Sequence, residues 1–271
     1  LLLTVLCQLA KTQGLVMLIN VFFGLIINAA YAVAVQVSNM VSTFTQSFKQ
    51  SMVPQMMAAC GAKDYTSMHK IINMGTKTTF LLLMMISIPI IFEADFILGI
   101  WLKRPPEYAA NLVRLVLINV NISSFTYFQY QGVHAIGNIK SQQIWMSSMY
   151  LFNILLIFLV FKLGANYEAA LYVNIFISLI QCVVNLWYSR KQYAYDLRLF
   201  FVRILIPCLL VVAIVVGVCC LLIVIMQPTP YRFIALFVIS EILLLLVGYF
   251  LLLDKYEKNK ICTVIGNIIK R

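Results

Sequence analysis

Residues 1–60 read LLLTVLCQLAKTQGLVMLINVFFGLIINAAYAVAVQVSNMVSTFTQSFKQSMVPQMMAAC, sixty positions whose only charges are Lys11 and Lys49. A membrane-crossing helix needs about 20 predominantly apolar residues, so this stretch has the length of two. Its second half, from Tyr31, is interrupted by polar residues at helical spacing. At 100° per residue Gln36, Asn39, Thr43, Gln46 and Gln50 fall within an arc of about 80°, and the rest of the surface carries Val, Met, Phe and Ala. Polar groups within a membrane helix are costly unless they meet a cavity or another helix. The stretch therefore predicts a polytopic helical protein with one helix face turned away from lipid.

The remainder of the chain agrees. Of 271 residues 63% are hydrophobic and 11% charged, and the mean hydropathy is +0.96. Soluble domains carry roughly a quarter charged residues. Eight apolar segments bounded by charge, Pro or Gly are predicted to span: A over residues 1–28, B 31–60, C 65–92, D 108–136, E 140–163, F 167–189, G 197–226 and H 231–253. The fold class expected is all-α, a polytopic transmembrane bundle. Ala29 and Ala30 are expected to form a short hairpin between antiparallel A and B. The chain opens within an apolar run, with no initiator Met and no basic leader, and reads as a fragment beginning partway through a helix.

The formal charge of +11 reflects topology rather than nucleic-acid binding. Thirteen basic residues are assigned to one side: Lys63, Lys70, Lys77, Lys140, Arg190, Lys191, Arg198 and Arg203, with Lys255, Lys258, Lys260, Lys270 and Arg271 in the tail. Lys103, Arg104, Arg114, Lys162 and Arg232 lie on the other, alongside Glu93, Asp95, Glu107 and Glu168. The positive-inside rule then puts the C-terminal tail and the B–C, D–E and F–G loops in the cytoplasm.

No soluble domain is expected, and no enzymatic motif appears: there is no G-x-S-x-G, H-E-x-x-H or Walker loop. The seven cysteines contain no C-x-x-C pair and read as small hydrophobes. His69, placed in the B–C loop, and His134, near the D–E turn, lack companions for a metal site, and no cofactor is expected. Span D repeats the polar pattern less cleanly through Asn111, Arg114, Asn121 and Gln129. Lys11, flanked by Gln8 and Thr12, is read as a cavity cation. Lys49 is read as a snorkelling side chain near the boundary, and Glu241 as the one acid deep within a span.

A series of short motifs adds a family likeness. Gln13-Gly14, Phe22-Phe23-Gly24, Asn28-Ala29-Ala30, Ala34, Gln36-Val37 and Pro54-Gln55 are followed by Pro89-Ile90, Leu98, Trp101-Leu102, Pro106-Glu107-Tyr108 and Gly137-Asn138-Ile139-Lys140 leading to Gln143. In this order the series, over residues 8–164, resembles the second lobe of polysaccharide flippases in the multidrug/oligosaccharidyl-lipid/polysaccharide exporter superfamily. Tyr31, Lys49 and Asn138 depart from the family pattern.

The resemblance implies one lobe of a 12–14-helix fold: a six-helix lobe over residues 1–190, two further helices over 191–253, and a basic cytoplasmic tail over 254–271. It implies the bacterial cytoplasmic (inner) membrane and alternating-access movement of an undecaprenyl-pyrophosphate-linked oligosaccharide, an O-antigen or capsule repeat unit. The partners expected are that lipid-linked substrate, membrane lipid and the missing N-terminal lobe, with room for a coupling cation or proton. Candidate substrate contacts are Lys11, Gln13, Asn20, Asn28, Gln36, Asn39, Thr43, Gln46, Gln50, Arg114, Asn121 and Gln129. The rivals are a cation-coupled multidrug exporter of the same superfamily, which would want an acid within the core helices, and a polytopic polymerase or acyltransferase, which would want a large catalytic loop.

Overall fold

The computed structural model describes residues 2–252; the expected basic tail over 254–271, with Cys262, lies outside the described residues. The elements of the described residues are helical, in the order α1 Leu2–Gly61, α2 Tyr65–Phe92, α3 Ala94–Leu102, α4 Ala109–Ser124, α5 Tyr127–Ile136, α6 Lys140–Lys162, α7 Ala169–Tyr193, α8 Leu197–Phe200, a π-helical turn Phe201–Leu205, α9 Ile206–Ile225 and α10 Pro230–Leu251. Six helical segments are long and apolar enough to cross a membrane, or seven when α4 and α5, bent by 40°, are taken as one broken span. The chain is a membrane protein of all-α, polytopic construction.

Eight spans are expected from the sequence because residues 1–60 have the length of two, and both fall within α1. Sixty helical residues would extend about 90 Å, three times the hydrocarbon thickness. The expected hairpin at Ala29–Ala30 is not found, because both residues are helical and Ala30 is buried. The break lies at Gly24, whose backbone is non-helical with φ +79° and ψ −172°. Glycine adopts that conformation freely and other residues do not, whereas Ala is the strongest helix former.

Contacts on either side of Gly24 show a change of direction. Thr4 hydrogen-bonds Ser147, Gly14 faces Ile154, and Phe22 packs on Phe158 and Phe161, so residues 2–23 ascend in the same sense as α6. Residues 25–61 instead enter α2 through the tight turn 61–64, where Asp64 caps α2 by accepting from the Ser67 N–H at 3.0 Å.

Helix α2 runs antiparallel to α4 and α5. Its register is fixed by Thr76 against Gln129, Phe80 against Phe125, Ser87 against Asn121 and the Ile91 carbonyl against Arg114. Gly75 permits the close approach: a methyl there would stand 2.7 Å from the Phe128 ring. Helix α7 follows α4 and α5 in parallel, through Ser123–Ser178, Asn185–Thr126 and Tyr193–Gln129. Leu15, Ile19, Ala34, Val37, Leu83, Leu112, Leu117, Ile157 and Leu171 form the apolar core of this arrangement.

The chain forms two compact units, Leu1–Leu197 and Arg198 onward. In the second, α9 buries Cys208, Val211, Val215 and Cys219, and α10 buries Leu236, Ser240, Leu244 and Gly248. Both sets recur every three or four residues, as expected of packed helices. Among the described residues neither carboxyl oxygen of Glu241 has a hydrogen-bond partner.

Two further placements differ from the sequence reading. His69 lies in the second turn of α2, partly buried, with Nε2 3.1 Å from the Tyr193 carbonyl. Lys77 is not a loop residue but is buried within α2; the Asp64-capped start places it three turns into the helix.

Candidate functional site

Helix α1 has two unlike faces after Gly24. Ala34, Val37, Val41, Thr45, Met52 and Met56 are buried against the lobe. Gln36, Asn39, Thr43, Gln46 and Gln50 are all exposed on the other side. The Thr43 hydroxyl is satisfied within its own helix, donating to the Asn39 carbonyl at 2.8 Å. The amides of Gln36, Asn39, Gln46 and Gln50 make no hydrogen bond among the described residues.

An amide moved into hydrocarbon without a partner costs several kcal/mol, so four of them on one stripe do not face lipid. The exposed surfaces of α6 and α7 differ: Leu151, Phe152, Leu155 and Phe158 on one, Tyr172, Phe176, Leu179 and Val183 on the other. Lipid suits those faces, while water, polar ligand or another polar protein surface suits the α1 stripe.

Before the break, Gln13 and Asn20 are exposed and, seven residues apart, share a face. Lys11 does not belong to it. Two positions from Gln13 place it about 160° round the helix, half-buried toward α6, where its Nζ stands 5.5 Å from the Tyr150 ring centroid. Asn28 is half-buried just past Gly24. Lys49 is likewise drawn onto an aromatic face, 4.7 Å from the Tyr127 centroid, so it stays with the lobe rather than extending along the helix boundary.

The polar residues of α4 and α5 do not join the α1 stripe. Asn121 is buried, its Nδ2 donating to the Ser87 hydroxyl and the Leu117 carbonyl, both at 2.9 Å. Gln129 is fully buried and donates toward Thr76 and the Tyr195 hydroxyl. Arg114 is engaged three times over: Nη2 with Asp95 at 2.6 Å, Nη1 with Asn111 at 2.9 Å and Nε with the Ile91 carbonyl at 2.9 Å. These groups hold α2, α3 and α4 together.

The sequence reading missed an interior seam centred on the break between α4 and α5. Thr126, at that break, accepts from Asn185 at 3.2 Å, and Asn185 in turn accepts from Gln142 at 3.1 Å. At one end of the seam the Tyr195 hydroxyl donates to Asn73, and Tyr193 donates to the Gln129 carbonyl at 3.2 Å. Burial raises the Tyr195 phenol above its usual range, which keeps it a donor. The available signal was a set of isolated polar residues in neighbouring spans at matching depth. At the opposite end Tyr108, held at φ +70°, stacks on Tyr167 with centroids 5.1 Å apart. Burial and then the Glu168 carboxylate, 3.1 Å from its hydroxyl, push Tyr167 up to about 12.

The described residues hold no group of three metal-ligating side chains. Compared with family models, curated proteins and solved structures, the chain finds no match.

Proposed function

We propose that this chain is one lobe of a flippase that carries a lipid-linked oligosaccharide across a bacterial cytoplasmic membrane by alternating access. The observation that carries the reading is the stripe of unpartnered amides on α1, exposed on a lobe whose α6 and α7 faces are apolar. Sugar hydroxyls are donors and acceptors at once, and amides, which are both, complement them. Gln36, Asn39, Thr43, Gln46 and Gln50, with Gln13 and Asn20, form the wall that the sugar head meets, and the prenyl tail stays in lipid.

The pyrophosphate needs a cation, and Lys11 is assigned that part. Its flexible four-carbon stem allows the ammonium to leave the Tyr150 ring for a stronger partner. Asn121 and Gln129 are assigned to lobe stability instead. The end carrying Lys63, Lys140 and Lys191 faces the cytoplasm by the positive-inside rule. The wall is completed by a second lobe, as in transporters built from paired repeats.

The test is display of surface polysaccharide by cells whose own flippase is replaced by the full protein carrying Gln36→Leu with Gln46→Leu, or Lys11→Ala. Display should fall well below that of the parent at matched membrane expression. Parent-level display in both variants would overturn the proposal.

A further inference from the structure

The beginning of α6 and the end of α7 meet. The Gln192 Nε2 donates to the Asn138 carbonyl at 2.7 Å, and the Ser141 and Tyr188 hydroxyls are 2.5 Å apart. Beside this junction is a recess of about 380 Å³ lined by Asn138, Lys140, Ser141, Ile144 and Trp145. No carboxylate lines it. Arg190 and Lys191 add two cations on the adjoining end of α7, and the Lys191 Nζ stands 5.0 Å from the Trp187 ring centroid. Trp145 and Trp187 are each about half exposed, and tryptophans so placed mark the level of the headgroups in a membrane protein.

We infer that this recess is a binding site for an anionic phospholipid, whose headgroup is held by Lys140 and whose acyl chains lie along α6. Basic residues at headgroup depth attract such lipids. The shape distinguishes a lipid from a free phosphate. One wall is Ile144 and Trp145, and Leu151, Leu155 and Phe158 continue from Ile144 along the same exposed helix face, an apolar track that inorganic phosphate would not use. The inference rests on the chain being a membrane protein and not on what it transports.

The test uses the full-length protein with Trp145 as its single tryptophan, every other tryptophan, Trp101 and Trp187 among them, being replaced by phenylalanine, reconstituted in phosphatidylcholine bilayers with a minor fraction of phosphatidylglycerol. One lipid or the other carries brominated acyl chains, which quench indole fluorescence on contact. At equal mole fraction brominated phosphatidylglycerol should be preferred about fivefold, the Boltzmann factor for one surface cation on an anionic lipid. Lys140→Gln should abolish the preference and Lys140→Arg preserve it, with phosphatidylcholine quenching reporting an intact fold in both. Equal quenching by the two lipids, a preference that survives Lys140→Gln, or displacement of phosphatidylglycerol by inorganic phosphate would each overturn the inference.

Discussion

Asp64 shows how one side chain fixes where a helix begins. It receives the Ser67 N–H, and the Ser67 hydroxyl first, then that N–H and the charge of Lys70, hold its carboxyl below the ordinary carboxylate value. A carboxyl depressed in the folded state contributes stability that is present above its unfolded value and lost as pH falls through the folded one. The difference in thermal midpoint between the parent protein and Asp64→Ala in detergent should therefore be largest at neutral pH and shrink on acidification below about pH 4. A difference independent of pH would show that the charge takes no part. At the same scale Lys11 was only half legible: its cationic character is plain in the sequence, but its turn toward Tyr150 depends on which neighbour α1 packs against.

At the scale of the element, periodicity located the helices well. Spans C, E, F, G and H coincide with helices to within a few residues, because each is bounded by charge, Gly or Pro. Two breaks were less visible. Span D divides at Phe125–Thr126, where the Phe125 N–H tightens onto the Ile122 carbonyl three residues back, and nothing in its composition announces a bend. The α1 break falls at Gly24 rather than at Ala29–Ala30, since a reversal in a helical chain is set by where the backbone can take positive φ rather than by where small residues accumulate. No atom lies within 4 Å of a methyl built on Gly24, so Gly24→Ala isolates the backbone term. It should destabilise the protein by about 1–3 kcal/mol, read as a lowered thermal midpoint, and an unchanged midpoint would show that the turn tolerates a side chain.

For the whole molecule, hydropathy and charge sufficed for the class of fold, and helical periodicity was enough to set one face of α1 apart. Which polar residues share a surface was not legible. Asn121 and Gln129 have the same spacing logic as Gln36 and Gln46, yet they lie inside the lobe because α2 and α7 cover that side of α4 and α5 and supply partners. Only three-dimensional packing separates a polar stripe that binds helices together from one left without partners. The requirement this places on the whole molecule is that the α1 stripe borders water rather than lipid. It is tested most directly by single cysteines at Gln36, Asn39 and Gln46, in the full-length protein with its native cysteines replaced by alanine, reacted in the membrane with a small charged maleimide. Labelling is expected at all three positions and none at Phe152→Cys or Phe176→Cys; stripe cysteines as unreactive as those two would show that the stripe faces lipid.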